Sequence, residues 1–190
     1  NPYRGSALLW RIHAVSVLLV VPQILVWTFT LVWLMAERGW SAASAGALVT
    51  VAQVLGAAGR IAAGRWSDRM GSRLRPIRLI AVAAAVSMSA LAVTDMLHSP
   101  LSVVVMIVAS VVTVSDNGLA FTAIAEIAGP FWSGRALGTQ NTSQLLTHAF
   151  VPPVFGALIG AFGYPAAFAV CALFPLAALP VVPDDHNANA

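Results

Sequence analysis

The chain of 190 residues has no lysine and one cysteine, and only 9% of it is charged. Soluble domains carry roughly 25% charged residues. A domain of this length has too little interior to hide a composition that is 59% hydrophobic, so a water-soluble globule is excluded. The lone Cys171 cannot build a disulfide or a metal cluster within one chain, and its apolar neighbours suit a small buried hydrophobe. No His-Glu-x-x-His, no Gly-x-Ser-x-Gly and no catalytic aspartate pair is found, which argues against an enzyme. Nothing suggests a cofactor, a metal or nucleic acid as a partner. The first residue is Asn1 rather than Met, which reads as a fragment or a processed product.

Apolar runs of roughly 20 residues, the length that crosses a bilayer as a helix, are what the chain does have. They predict an all-α integral membrane domain over residues 1–190, with six spans at about 12–36, 42–63, 77–97, 101–124, 136–159 and 166–182. The polar tail from Pro183 reads as frayed. Six of the ten arginines lie between Arg60 and Arg78, in and around the loop 64–75. An even span count puts both ends on one side, together with every arginine except Arg38. The positive-inside rule makes that side cytoplasmic. The expected location is the cytoplasmic (inner) cell membrane, with the lipid bilayer as solvent.

Projection at 100° per residue separates the spans. In the first, Ser16, Gln23, Trp27 and Thr30 share a stripe with His13 beside it. Thr50, Gln53 and Arg60 share a face in the second. The fourth gathers Ser102, Ser110, Thr113, Asp116 and Asn117, and the fifth aligns Gln140, Gln144, Thr147 and His148. The third and sixth show no such face, with Ser87 and Ser89 the polar groups deep in the third. Cavity-lining helices need a polar face and lipid-facing ones do not. Spans one, two, four and five should therefore surround an interior, with three and six outside. This period of three suggests two three-helix repeats of the kind transporters use.

The candidate solute or proton residues are Gln23, Trp27, Gln53, Arg60, Asp116, Asn117, Gln144 and His148. Each also has a structural reading. His148 can be a neutral histidine bonded to a neighbouring helix, and the amides can be interhelical hydrogen bonds worth about 0.6 kcal/mol each. A carboxylate inside a membrane must pair, face water or stay protonated. Asp116 is expected to pair with Arg60.

Gly64, Asp68, Arg69, Gly71 and Arg73 resemble the signature loop of the major facilitator superfamily. The pattern is a glycine, an Asp-Arg pair four and five residues on, a glycine at seven and basic residues at eight and nine. Trp66 and Ser72 depart from it. In that family the loop joins the second and third helices of a six-helix half, the place it occupies here. The resemblance implies that Asp68 belongs to a cytoplasmic charge network with Glu126 and Arg135, which holds the outward-facing state. It also implies rocking of two six-helix halves about a central site. The linker-like start resembles that of a carboxy-terminal half, and the context of Gly59-Arg60 and Ser67-Asp68-Arg69 is similar to the cyanate and nitroimidazole transporter branch. The expected function is secondary transport, proton-coupled or not, of a small polar or anionic solute, as a symporter or antiporter. The expected partner is a missing amino-terminal half or a second copy. The alternative is a half-size or truncated membrane interaction module without transport of its own.

Overall fold

A computed structural model describes residues 1–5 and 7–183, so the expected frayed tail lies outside the described residues apart from Pro183. Only helices occur among them. In lipid the backbone must satisfy its own hydrogen bonds, and a helix does so within one segment. A short α1 (Pro2–Gly5) precedes α2 (Leu8–Ala36), which runs unbroken through Pro22.

α3 spans Ala42–Met70. It starts where Ser41 Oγ accepts the Ser44 backbone N–H at 3.2 Å. It stops at Gly71, whose φ of 59° is left-handed. There the Gly71 N–H reaches the Asp68 carbonyl and the Ser72 N–H reaches the Ser67 carbonyl, a glycine-terminated helix end. The expected loop 64–75 is thus mostly helix, and the turn is confined to residues 71–73. Gly64 is an interior helical glycine with nothing within 4 Å of a Cβ built on it. Such a glycine costs about 1 kcal/mol but ends nothing.

α4 (Leu74–Met96) carries Pro76 in its first turn, where no intrahelical N–H is lost. The fourth apolar run is two helices, α5 (Leu101–Val112) and α6 (Asn117–Ala128). One continuous helix over 101–124 was expected, and the chain instead unwinds at residues 113–116. No stop signal marks the break. Three polar residues, Thr113, Ser115 and Asp116, surround the β-branched Val114 there, and polar side chains of this kind can bond freed backbone groups.

α7 (Ser133–Ala178) has 46 residues, about 69 Å at helical rise, more than twice the hydrocarbon thickness. It bends at Gly163, whose φ of 81° and ψ of 173° are open essentially to glycine alone. Ala136 near its start and Ala178 at its end enter the same core cluster, so the chain doubles back there. Phe155 and Phe174 meet across the hairpin with ring centroids 6.1 Å apart.

Two buried clusters stack along the helix axes. One joins Leu9, Ile12, Ala63, Ile77, Ile124, Ala136 and Ala178 at the arginine-rich end. The other joins Trp33, Ala45, Met88, Leu91, Met106, Phe155 and Phe168 toward the opposite end. Five helical segments are long and apolar enough to cross a membrane, counting α5–α6 as one and the folded α7 as one.

Burial does not follow the expected inside–outside division. The most apolar stretch of α4 is 44% buried and that of α3 only 17%. The third span also holds Asp95, 4% exposed, besides Ser87. In this domain α3 is the least covered helix: its small residues Ala45, Ala52, Gly56 and Ala63 pack on the other elements, while Val51, Val54, Leu55 and Ile61 face away from them.

Candidate functional site

α2, α6 and α7 each turn polar side chains into one shared interior. Gln23 and Ser16 lie on α2, seven residues or about two turns apart, so both project on one side. Gln140 and Gln144 sit four residues apart on α7, again one face. Asn117 is the first residue of α6 after the break.

These groups form one hydrogen-bonded chain. Asn117 Nδ2 donates to Gln23 Oε1 at 2.8 Å. Gln144 Nε2 donates to Asn117 Oδ1 and to Ser16 Oγ, both at 2.8 Å. Gln140 Nε2 also donates to Ser16 Oγ, and Gln140 Oε1 faces His13 Nδ1 at 2.6 Å. His13 Nε2 then meets the Tyr3 hydroxyl at 2.9 Å. Three of the expected residues, Gln23, Asn117 and Gln144, therefore belong to one connected set.

A second group surrounds the break. Arg60 Nε on α3 donates to the Val114 carbonyl at 3.2 Å, one that helix continuation would have bonded to the Gly118 N–H. Ser115 Oγ donates to the Val111 carbonyl at 2.7 Å. α3 comes close here: a Cβ on Gly59 would stand 2.8 Å from Val111 Cγ1, and one on Gly56 would stand 3.2 Å from Val114 Cγ2. The Arg60 guanidinium also lies 5.6 Å from the Trp27 ring centre. Trp27 and Gln53 line a shallow recess between α2, α3 and α5 with Thr30 and Ser110.

The expected Asp116–Arg60 ion pair is not formed. No ion pair within 4 Å joins them among the described residues. Arg60 is spent on the Val114 carbonyl and the Trp27 face, because unwinding at 113–116 turns a carbonyl rather than the carboxylate toward it. Asp116 is 2% exposed and has Arg60 only as a longer-range charge. His148 is half-buried, with no hydrogen bond or ion pair among the described residues. It stands apart from the chain that Gln144, one turn away, enters.

At the arginine-rich end, Arg73 bridges two acids. Its Nη2 and Nε reach Glu126 Oε1 and Oε2 at 3.0 and 3.3 Å, and its Nη1 reaches Asp68 Oδ1 at 2.5 Å. The hydrogen bonds from Glu126 first, and Asp68 next, hold the Arg73 guanidinium above its ordinary value. Gly71 makes the turn that brings Arg73 back onto α3. Arg135 stays outside this network and stacks on Trp132 at 4.9 Å. Arg69 is exposed and makes no ion pair among the described residues. Gly64 makes no close approach within the domain.

The family model of the Major Facilitator Superfamily matches residues 14–188. The chain belongs to the major facilitator superfamily. It is 59% identical over 183 residues to an uncharacterised MFS-type transporter of Mycobacterium tuberculosis strain H37Rv, and 58% identical to one of strain CDC 1551. Each alignment covers 96% of this chain and 41% of the relative, so the chain spans about two fifths of their length. No solved structure gives a significant match. Membership places the chain in a family of membrane transporters rather than of enzymes. It also accounts for the all-helical architecture as part of a major-facilitator fold.

Sequence reasoning missed several residues of this major-facilitator domain. Tyr3 carried no pattern. His13, Ser16 and Gln140 lay on the polar faces, and pairing them at i, i+3 and i, i+4 across two helices would have marked them. Arg38, the lone arginine at its end, is bonded to Asp95, which also accepts from Trp33 Nε1 at 3.0 Å. A single basic residue and a single intramembrane acid near the same end were the available signal.

Proposed function

We propose that this chain is the carboxy-terminal six-span half of a secondary active transporter for a small polar or anionic solute, with both ends cytoplasmic. The missing partner is an amino-terminal half, which the greater length of the relatives favours over a second copy. The reading is carried by one observation: the Gln23–Asn117–Gln144–Ser16 chain that ties α2, α6 and α7 together beside a helix break.

The physics of that chain suits passage rather than permanent binding. Neutral amides donate and accept equally, so a solute's hydroxyl, amide or carboxylate can replace an amide neighbour with little net change in hydrogen-bond energy. A broken helix supplies free backbone groups at the same depth, an arrangement tolerated in a membrane only where protein or a cavity covers it. Arg60 beside the break adds a positive charge, and Trp27 and Gln53 extend the polar wall from α2 to α3. These features favour a neutral or anionic solute over an organic cation.

Access alternates in this account by rocking of the two halves. The Asp68–Arg73–Glu126 cluster ties the ends of α3 and α6 at the cytoplasmic face, where it must rearrange with the partner half. α3, the least covered helix, meets that half.

The test is a ligand screen by thermal stabilisation of the purified full-length protein, comparing small carboxylates, amides and polyols with organic cations. Stabilisation by members of the first group, lost in Asn117→Ala and kept in His148→Ala, supports the reading. Stabilisation by cations alone, or hits indifferent to Asn117→Ala, contradicts it.

A further inference from the structure

Arg60 is exposed and stands ten residues from the Met70 end of α3, about 15 Å along the helix. A cation this deep in a span is costly unless it meets an opposite charge or water. Its partners within the domain are neutral. Arg60 Nε donates to the Val114 carbonyl at 3.2 Å, and the guanidinium lies 5.6 Å from the Trp27 ring centre. No acid forms an ion pair with it among the described residues.

Those contacts use one nitrogen and one face. A guanidinium is planar, with five N–H donors in a fixed fork. With Nε given to Val114, the other four lie on Nη1 and Nη2, and none has a hydrogen-bond acceptor among the described residues. That end-on edge matches the two oxygens of one carboxylate, which accepts two parallel, charge-assisted hydrogen bonds. The Val114 carbonyl and the indole restrain the fork in advance, so less freedom is lost when an anion docks. Trp27 is 39% exposed beside it, and Gln53 lies two turns away on the same face of α3.

The charge count narrows the anion. Arg38 is committed to Asp95, and Arg73 to Asp68 and Glu126. Arg65 stands only five residues from the end of α3. A single unpaired positive charge inside the span neutralises a single negative one, which favours a monovalent anion over a dicarboxylate or a phosphate dianion.

We propose that the Nη1–Nη2 edge of Arg60 binds the carboxylate of a monovalent organic anion, and that Arg60 sets selectivity for the charged solute over its neutral counterpart. The assignment rests on the reading that the interior bordered by Asn117 passes the solute. Val114, which Arg60 holds, is three residues before Asn117, so the charged and the amide parts of the site meet at the helix break. Proton transfer and covalent chemistry play no part: the carboxylate exchanges water for the guanidinium edge.

The test is thermal stabilisation of the purified full-length protein at pH 7.5 and constant ionic strength, with acid and amide of matched shape. The pairs are formate with formamide, acetate with acetamide, and benzoate with benzamide. The expected result is saturable stabilisation by at least one carboxylate and none by its amide. Arg60→Gln should abolish it. Arg60→Lys, which keeps the charge but loses the fork, should weaken the apparent Kd at least about tenfold. Arg65→Gln should leave it unchanged. If Arg60→Gln does not fold, Arg60→Lys and the amide comparison decide. Amides that stabilise as well as their acids, carboxylate binding that Arg60→Lys leaves unchanged, or no stabilisation by any carboxylate would each overturn the proposal. The last is also the outcome if an acidic side chain elsewhere in the full-length protein already occupies Arg60. Amide stabilisation that needs Asn117 but not Arg60 would overturn this site and leave the amide-chain reading standing. Carboxylate binding that needs Arg60 but not Asn117 would do the reverse.

Discussion

Arg38 donates to Asp95 under the cover of Trp33, whose indole N–H takes the same carboxylate oxygen at 3.0 Å. The two side chains are 12% and 5% exposed, and the Arg38 guanidinium lies 5.0 Å from the Trp33 ring centre. This pair ties the turn after α2 to the end of α4. The ion pairs of Arg73 at the opposite end differ in one decisive respect, since Asp68 and Glu126 are 63% and 53% exposed.

Burial therefore ranks the two ion-pair sites. Removing one partner of a buried pair strands a charge and costs about 3–5 kcal/mol, whereas an exposed pair is worth about 0–1 kcal/mol after solvent screening. Asp95→Ala should lower the melting temperature of the full-length protein in detergent far more than Asp68→Ala does. Equal shifts would mean that Asp95 and Arg38 are reached by water in solution.

Asp68 should matter for motion more than for stability. Asp68→Asn and Glu126→Gln should each leave the stability read from thermal melting within about 1 kcal/mol of the parent. Both should change the accessibility of single cysteines introduced at the arginine-rich end to a membrane-impermeant thiol reagent. Arg73→Lys should behave like Glu126→Gln, because an ammonium cannot make the two-nitrogen contact to Glu126. Unchanged accessibility in all three variants would reduce the cluster to a topology signal.

The glycines separate by space. Gly59→Ala pushes a Cβ to 2.8 Å from Val111 Cγ1 and should cost about 1–3 kcal/mol, with Val111→Ala restoring part of the loss. Gly46→Ala and Gly64→Ala meet nothing within 4 Å and should be neutral or stabilising by up to about 1 kcal/mol in melting experiments. If Gly64→Ala abolishes transport while leaving stability intact, the contact it disturbs lies outside this chain.

Ser16 is where two amides converge. Ser16→Ala leaves the Gln140 and Gln144 donors short of an acceptor inside the membrane domain, at about 1–3 kcal/mol. His148→Ala removes no hydrogen bond and should cost less than half as much by thermal melting. A larger loss for His148→Ala would show that the amide chain is not the connected element described here.

The long apolar helices and their order were legible from run length alone, because a bilayer demands about 20 apolar residues per crossing, and five helical segments are long and apolar enough to make one. The turn at Gly163 was legible too, from Gly160, Gly163 and Pro165. The break at residues 113–116 was not. Thr113 and Ser115 bond their own helix's carbonyls at 2.7 Å whether or not that helix is continuous, so a polar stripe there has two readings. The same back-bonding explains why the stripes overstated the site. Thr30 and Thr147 point their hydroxyls at Val26 and Ser143 carbonyls on their own helices. Gln23, Asn117 and Gln144 were identifiable because an amide is too long and too polar to be satisfied that way. Partner choice was beyond the sequence. Arg60 finding Val114 instead of Asp116, and Arg73 rather than Arg135 completing the acidic cluster, depend on where an unwound turn and a left-handed glycine aim the backbone.

The central claim, that the amide chain borders a water-filled solute path, is tested most directly by thiol labelling of single cysteines. The measurement is the reaction rate of Asn117→Cys with a membrane-impermeant, water-soluble thiol reagent, in full-length protein in vesicles and in a background free of other reactive thiols. The reference is Val86→Cys, on the uncovered apolar face of α4. The account predicts that Asn117→Cys reacts at least about tenfold faster than Val86→Cys, because thiolate chemistry needs water. Equal rates, or faster reaction at Val86→Cys, would contradict it.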